Sequence, residues 1–592
     1  MTKSLYVLLW LGALTTDLPA QSLPPVFAAA DTNRTFADHR VRRYMAPQRI
    51  IWHTDTANGS LRGLENLLRR GTGQAELTQR NLCLLTSTNA SRPGFVLDFG
   101  RELHGGIQLV TGMFRTRNPV QHEPVRVRIR LGESVSEVMN DVDSLKGGTN
   151  DHATRDFILA LPWLGVQEVG NSGFRFARID LVDPDVELLL KEVNAIFVYR
   201  DLPYKGSFRC SDERLNQIWL TGAYTVHLNM QQYVWDGIKR DRLVWIGDMY
   251  PEMMTINSVF GHTDVVPKSL DLARDQNPLP NWMNTMSTYS MWWVLLHRDW
   301  YRYQGDLAYL QQQKPYLAGL LRLLANNVDE RGRERVKGGR FLDWPTSEDC
   351  VAVHAGIQAL LLMTMQAGQE LSTLLNDAET KTLCQQTARR LGQYQPNPGT
   401  TKQAAALLAL AGMMPPHQAN ARLAEGGPRN FSTFYGYFML QAMAKAGNYT
   451  GAMAIIRQFW GGMLDVGATT FWEDFNMDWL TNAARIDELV PPGKKDIHGD
   501  CGAYCYKGLR HSLCHGWASG PTAWLTEHVL GVSVAEPGGR VLRVRPNLGD
   551  LAWAKGTFPT RYGIVQISHT RQADGKIKTA VQAPTGVTVL TR

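Results

Sequence analysis

Ser211-Asp-Glu-Arg-Leu-Asn-Gln-Ile-Trp219 is where the periodicity of this chain changes. A serine or aspartate stands in cap position, and Leu215, Ile218, Trp219 and then Tyr224 follow at helical spacing. Helical patterns dominate from there to about Leu530, among them Leu307 to Asn326, Val351 to Leu375, Lys402 to Ala411, Phe431 to Ala446, Ala452 to Phe459 and Pro521 to Leu530. Glycine or proline separates them. Some stretches, such as Ala355 to Met365, are apolar almost all round, which suits an inner layer covered by an outer one. Paired helices in two layers predict an α/α barrel.

Upstream, from about Gln21 to Tyr204, the period is two. In Val125-Arg-Val-Arg-Ile-Arg-Leu131 every second residue is apolar, the signature of a half-buried strand. Phe95 to Phe99, Phe174 to Leu181 and Val193 to Tyr199 read the same way, so a β-sandwich is expected. Binding carbohydrate and buttressing the next domain both remain open as its role. After Gly538 short strands return at Val541 to Val544, Tyr562 to His569 and Ile577 to Val581, with turns at Ala573-Asp-Gly and Pro584-Thr-Gly. The expected order is a leader over 1–20, a β-region over 21–205, a barrel over 206–535 and a small β-domain over 536–592.

The 592 residues, 44% hydrophobic and 20% charged, are ordinary globular composition with room for several cores. Lys3, the apolar run Leu5 to Leu14 and the small residue Ala20 predict a cleavable export signal, placing the protein in the periplasm or outside the cell. No later uninterrupted apolar stretch of about 20 residues suggests an anchor. The net charge of +7 is scattered, and its densest run, Arg331 to Arg340, reads as a solvated loop, so nucleic acid is not an expected partner. Seven cysteines allow at most three disulfides. Cys501, Cys505 and Cys514 lie near His498, His511 and His515, but their spacings match no paired-cysteine zinc pattern. A local disulfide between two of the three is the expectation for an oxidising compartment, with buried free thiols the alternative.

Val234-Trp-Asp-Gly-Ile-Lys-Arg-Asp-Arg-Leu-Val-Trp-Ile-Gly-Asp248 packs three carboxylates, three cations and two tryptophans into fifteen residues. Cleaving a glycosidic bond takes one acid to protonate the leaving oxygen and a second carboxylate to activate water or attack carbon. Further carboxylates and an arginine can hold sugar hydroxyls, and flat aromatic faces suit the C–H faces of sugar rings. Asp236, Arg240, Asp241 and Asp248 supply such groups; a loop and helix start with capping aspartates and surface ion pairs fits the same residues.

The segment Asp236 to Asp248 resembles the motif of glycoside hydrolase family 78, the inverting α-L-rhamnosidases of the six-hairpin glycosidases. Gly206 to Trp219 is similar to the family's entry into its catalytic barrel, Gly467-Ala-Thr-Thr-Phe-Trp-Glu473 to its second catalytic segment, and Ser512-Leu-Cys-His-Gly-Trp517 to its late histidine motif. The closing β-domain from Val541 is also similar. The resemblance implies a multidomain protein, an (α/α)6 barrel flanked by N- and C-terminal β-sandwich domains, that releases terminal α-L-rhamnose from a glycan without a cofactor or metal. It places the general acid on Asp241 and the general base on Glu473, 232 positions apart (473 − 241). It puts Asp236, Arg240 and Asp248 on rhamnose hydroxyls, Trp245 and Trp344 on the sugar as aromatic walls, and His515 on the ring. The family commonly has glutamate where Asp241 stands, and Val244 and Ile246 replace its usual glycine and threonine. The stretch Asn476 to His511 is long and is expected to reshape the pocket.

Two other readings stay open: the same barrel acting on another deoxy sugar or a uronic acid, and a carbohydrate-binding protein that has lost catalysis. Glu252 reads as a third site carboxylate or, more simply, a first-turn helix acid. Glu348 and Asp349 suit a leaving-group contact or a solvated loop. His297 and His354 lie in apolar helical settings that suit satisfied core histidines, and Trp292 and Trp293 suit barrel wall better than pocket lining.

Overall fold

A computed structural model describes residues 37–54, 59–114, 124–142 and 144–591. The expected leader, residues 1–20, lies outside the described residues. Contacts knit 40–592 into one compact unit.

The N-terminal strands form one sheet of nine. Its path runs Leu61–Arg62, Cys83–Thr86, Glu187–Arg200, Gly94–Thr111, Val166–Leu181, Val125–Gly132, Asp156–Leu161, while Arg40–Met45 pairs with Glu187–Arg200 and Arg49–His53 with Gly94–Thr111. The strands expected around Phe95, Phe174 and Val193 are parts of the three longest members. Register shifts between Asp98 and Leu103 interrupt the ladder of the longest strand. Gly105, at φ +143°, and Gly106 lie so close to neighbouring strands that a Cβ would stand 2.0 Å from the Ile196 carbonyl oxygen and 2.2 Å from that of Val169, so only glycine fits there. The core under this sheet includes Phe95, Leu97, Phe99, Ile107, Ile129, Phe174 and Leu188. Along Val125–Gly132 the expected alternation holds until Arg130, which is buried on Asp180 at 2.7 Å.

From Glu213 to Val529 helices alternate between two layers. The inner ones are buried nearly all round: Met249–Val259, Ser287–Gln304, Cys350–Leu374, Lys402–Leu410, Gly436–Lys445 and Gly520–Trp524. Each packs on the next, and Gly520–Trp524 packs back on Met249–Val259, which closes the ring. The outer helices bury single stripes; in Ala378–Gln393 it is Thr380, Cys384, Thr387 and Leu391, one residue per turn. This is the (α/α)6 barrel the sequence predicts. Cys350–Leu374 is long and apolar enough to cross a membrane by length and composition, and its burial inside the protein explains that composition. Trp292 and Trp293 are wholly buried wall, Trp292 stacked on Phe438 at 4.6 Å. His297 is a core histidine, bonded to the Trp293 carbonyl, whereas His354 is only half-buried, between Glu334 and Tyr394.

The C-terminal region holds two sheets. Val532–Glu536, Val541–Val544 and Thr588–Leu590 make one; Trp553–Thr560, Gly563–Arg571 and Ile577–Gln582 make the other with Ser207–Cys210, a strand from just before the barrel. The chain therefore anchors the C-terminal sheet before its first barrel helix begins. Asp212 caps that helix, Glu213–Asn229, accepting from the Arg214 and Leu215 amides at 2.9 and 3.4 Å. It also takes Arg457 Nε at 2.6 Å. Asp212→Ala removes cap and ion pair together and is expected to lower stability by about 1–2 kcal/mol; an unshifted thermal melt would contradict this.

Candidate active site

The loop that carries the densest charge closes on itself. The Asp236 amide donates to the Leu243 carbonyl at 3.1 Å and the Leu243 amide to Asp236 Oδ1 at 2.9 Å. Asp241 and Arg242, at φ +52° and +55°, are left-handed non-glycine residues, each costing on the order of 1–2 kcal/mol. Outside contacts hold that turn: Arg242 donates to the carbonyls of Asn171, at 2.8 Å, and His152. Further along, Asn284 ties the tryptophan-bearing arm, accepting from the Ile246 amide and donating to the Val244 carbonyl, both at 3.0 Å. Asp248 stands at the cap position of Met249–Val259 but makes no side-chain cap. Its carboxylate accepts instead from the Tyr289 hydroxyl at 2.8 Å.

Phe471 to Glu473 runs beside Ser512 to His515. The Glu473 amide donates to the Ser512 carbonyl at 3.0 Å, the Ser512 amide returns to Glu473 Oε2 at 3.2 Å, and the His515 amide donates to the Phe471 carbonyl at 2.9 Å. The Gly516 amide then reaches the Asp236 carbonyl at 2.8 Å. These bonds bring the three segments singled out in the sequence into one site at the N-terminal ends of the inner helices.

Arg240 joins the two carboxylates expected to do the chemistry. Nη2 lies 2.7 Å from both oxygens of Glu473, Nη1 donates to Asp241 Oδ1 at 2.9 Å, and Nε to the Arg510 carbonyl at 3.1 Å. His515 Nε2 stands 3.5 Å from Glu473 and 3.8 Å from each of Asp236 and Asp248. Burial, with Arg240 adding to it, holds the His515 imidazole well below its ordinary pKa, so these approaches are to a neutral ring and not ion pairs. Burial, reinforced by neighbouring carboxylates, pushes Asp236 and Asp248 well above the usual carboxylate range. It raises Glu473 too, while Arg240 pulls the other way. Burial thus favours the protonated, hydroxyl-donating form at Asp236 and Asp248, while Arg240 favours the charged form at Glu473.

Aromatic walls complete it. Trp245 meets Tyr289 edge-on at 6.1 Å; Trp344 stacks on Tyr504 at 6.2 Å and meets Tyr506 edge-on at 6.0 Å. Tyr504 and Tyr506 come from the long stretch expected to reshape the pocket. Nothing local in the sequence marks Tyr289, Tyr506 or Asn284 as site residues. A cavity of about 760 Å³ adjoins the cluster, lined by Pro345, Asp474, Tyr504, Trp479, Asn430 and Arg429 among others. Burial pushes Asp474 up to about 7. Asp349 takes no part: it caps Cys350–Leu374.

The local disulfide is not formed. All seven cysteines carry free thiols, because closeness in sequence does not aim sulfurs at one another. His511 and His498 are spoken for, the first accepting from the Asp474 amide at 2.9 Å, the second meeting Ser134 Oγ at 2.7 Å. Glu133, Glu137 and His498 do converge within 4.8 Å. The buried ammonium of Lys239 supplies the positive charge there, 2.9 Å from Glu137 and 3.4 Å from Glu133.

Residues 203–529 match the family model described as the bacterial alpha-L-rhamnosidase 6 hairpin glycosidase domain, and 531–590 that of the bacterial alpha-L-rhamnosidase C-terminal domain. An alpha-L-rhamnosidase of Alteromonas sp. (strain LOR) is 22% identical over 580 residues, covering 88% of this chain; the chain spans only 58% of that relative. Among solved structures, a GH78 family rhamnosidase of Bacillus sp. GL1 superposes with a TM-score of 0.72 at 21% identity, over 89% of this chain and 55% of that one. The rhamnosidase from Klebsiella oxytoca with rhamnose bound gives 0.65 at 20% identity, over 83% and 96%.

Glu252 is a first-turn acid and also lies against the site, both oxygens buried without a partner and facing Gly516. Burial holds its carboxyl well above the usual range. A raised folded-state value means the native state binds more protons, so this group's contribution to stability falls as pH rises above its unfolded value, about 4.3. Glu252→Gln is isosteric and does not titrate. Its melting temperature relative to the parent is expected to rise steadily between pH 4.5 and pH 8; a flat or falling difference would reverse the assignment.

Proposed function

The chain belongs to the bacterial α-L-rhamnosidase six-hairpin glycosidases, and on that premise we propose that it releases a terminal α-L-rhamnosyl unit from a glycan, inverting the anomeric carbon. Asp241 donates a proton to the leaving oxygen as the bond to the anomeric carbon breaks. Glu473 takes a proton from the water that attacks the opposite face. Asp236, Asp248 and Arg240 meet sugar hydroxyls, Trp245 and Trp344 face the ring, and His515 lies beside it. Export from the cytoplasm, expected from residues 1–20, belongs to the same proposal.

The observation that carries this reading is the bridge through Arg240. Inversion needs two carboxyls that face the reacting carbon from opposite sides with room for water between them, roughly 6.5–9.5 Å apart. One guanidinium holding Asp241 on Nη1 and Glu473 on Nη2 gives each a fixed place, with no direct hydrogen bond between them. Glu473 suits the base of the pair because donors on both its oxygens favour the charged form a base must start from, while burial raises its affinity for the proton it takes. Asp241 is less buried, its side chain 18% exposed against 4% for Glu473, which suits the group that meets the leaving oxygen. Being one methylene shorter than glutamate, it calls for a closer approach.

Proton NMR of a fresh digest of an aryl α-L-rhamnoside is expected to show β-rhamnose first; initial α-rhamnose means retention. Asp241→Asn and Glu473→Gln are each expected to lower kcat by about two to four orders of magnitude. If neither does, the pair is misassigned. If other aryl glycosides are cleaved and the rhamnoside is not, the substrate is wrong.

A further inference from the structure

The N-terminal domain reaches the acid. Residues 144–155, which lead into the strand Asp156–Leu161 after the short helix Val135–Met139, are fixed against the barrel's loops at several points. The Leu509 amide donates to the Lys146 carbonyl at 2.7 Å, Asp151 pairs with Arg510, and the buried guanidinium of Arg155 takes Glu137 and the Thr149 carbonyl. His152, left-handed at φ +63°, is held by its carbonyl on Arg242, the residue next to the acid. Its Nε2 stands 3.7 Å from Asp241 Oδ1 and 3.9 Å from Asp151. His152 is 45% exposed and Asp241 18%, so the imidazole lies on the solvent side of the acid, where a leaving group would depart.

We propose that His152 is a positioning residue for Asp241, donating from Nε2–H to Oδ1 once substrate closes the site, so that Oδ2 alone presents the proton to the glycosidic oxygen. The inference rests on Asp241 being the acid. At 3.7 Å the bond is not yet made, and catalytic hydrogen bonds commonly shorten only in the substrate complex. The geometry favours Oδ1 as the anchored oxygen, because Arg240 Nη1 already donates to it at 2.9 Å. A second donor on the same oxygen fixes the plane of a carboxyl whose short side chain leaves little tolerance in reach. When the proton moves from Oδ2 to the leaving oxygen, the carbon–oxygen electron pair goes to that oxygen. The new carboxylate charge then falls on an atom that holds two donors. His152 neither gains nor loses a proton. Asp151, Asp236, Asp248, Glu473, Arg240, Arg242 and Arg510 are the other titratable or charged groups that face this pair or its partners.

Help given to the acid matters most where the leaving group is poor. His152→Ala is expected to lower kcat/KM at least about tenfold on an alkyl α-L-rhamnoside and less than about twofold on the 2,4-dinitrophenyl rhamnoside, whose phenolate leaves without a proton. His152→Gln, which keeps an N–H donor, is expected to recover a large part of the alkyl activity. An equal loss on both substrates, or no loss on either, overturns the proposal. Unchanged thermal melts keep misfolding out of the comparison. Asp241→Asn, run in parallel, separates the two claims: it must show the same dependence on leaving group, and if it does not, the acid assignment fails first. No release of rhamnose by the parent from any rhamnoside is a failure of the proposed function instead.

Discussion

One guanidinium sets the electrostatics of the site. Arg240 is buried beside Asp236, Asp241 and Glu473 and pairs directly with the last two. Removing charge from water costs several kcal/mol per ion, and only short, multiple hydrogen bonds offset it. Glu473 receives such bonds on both oxygens, whereas Asp236 and Asp248, reached by an amide and a tyrosine hydroxyl, take on protons more readily. The planar guanidinium thus separates Asp241 and Glu473, with which it pairs directly, from Asp236 and Asp248, whose donors are other groups.

The residue before it does the same for another cluster. Lys239 is fully buried, and its ammonium meets the carbonyls of Leu509 and His511 at 2.7 and 2.8 Å beside Glu133 and Glu137. Burial pushes Glu133 up to about 7 against the pull of Lys239; for Glu137 Lys239 and Arg155 outweigh burial, and it lies below the usual range. Two adjacent cations therefore point to opposite sides of one loop, one into the reacting site and one into the seam with the N-terminal domain. The seam also holds the late histidine segment, because Glu133 accepts from the Leu513 amide at 2.6 Å. The strained turn at Asp241 and Arg242 persists because it is over-determined from both sides.

This explains what the sequence could and could not reveal. The barrel was legible because each helix is read from its own periodicity: inner helices apolar all round, outer ones striped. Asp236, Arg240, Asp248, Glu473 and His515, which the structure brings together, could be picked out as candidates because they sit in dense or recognisable segments. Tyr289 lies inside an ordinary inner helix, Tyr506 in an irregular stretch and His152 in another domain, and no local pattern marks them, since their relation to the site exists only in three dimensions. The same limit undid the expected disulfide among Cys501, Cys505 and Cys514, and resolved Trp292 and Trp293, as the sequence preferred, into wall. The N-terminal strands were legible one by one, yet that all nine belong to one sheet depends on pairings across the domain.

Whether the N-terminal domain serves as binding module or buttress is best argued from where its bonds go. The Gly173 amide donates to the Ile238 carbonyl at 2.7 Å, the Glu102 amide to Thr469 Oγ1 at 2.9 Å, and Arg175 to the Gly467 carbonyl at 3.1 Å. Two of these partners lie in the segment leading to Glu473 and the third in the loop of Asp241. A domain that only presented a separate sugar-binding face would have no reason to bond both the loop of Asp241 and the segment leading to Glu473, one through a backbone pair and the other through the Thr469 hydroxyl and the Arg175 guanidinium. A misplacement of about 1 Å in a reacting group is enough to slow a reaction about a hundredfold. On the proposed mechanism buttressing is therefore a catalytic contribution in its own right, and it accounts for a barrel in which Asp241 and Glu473, far apart in sequence, are set by a sheet that lies outside it.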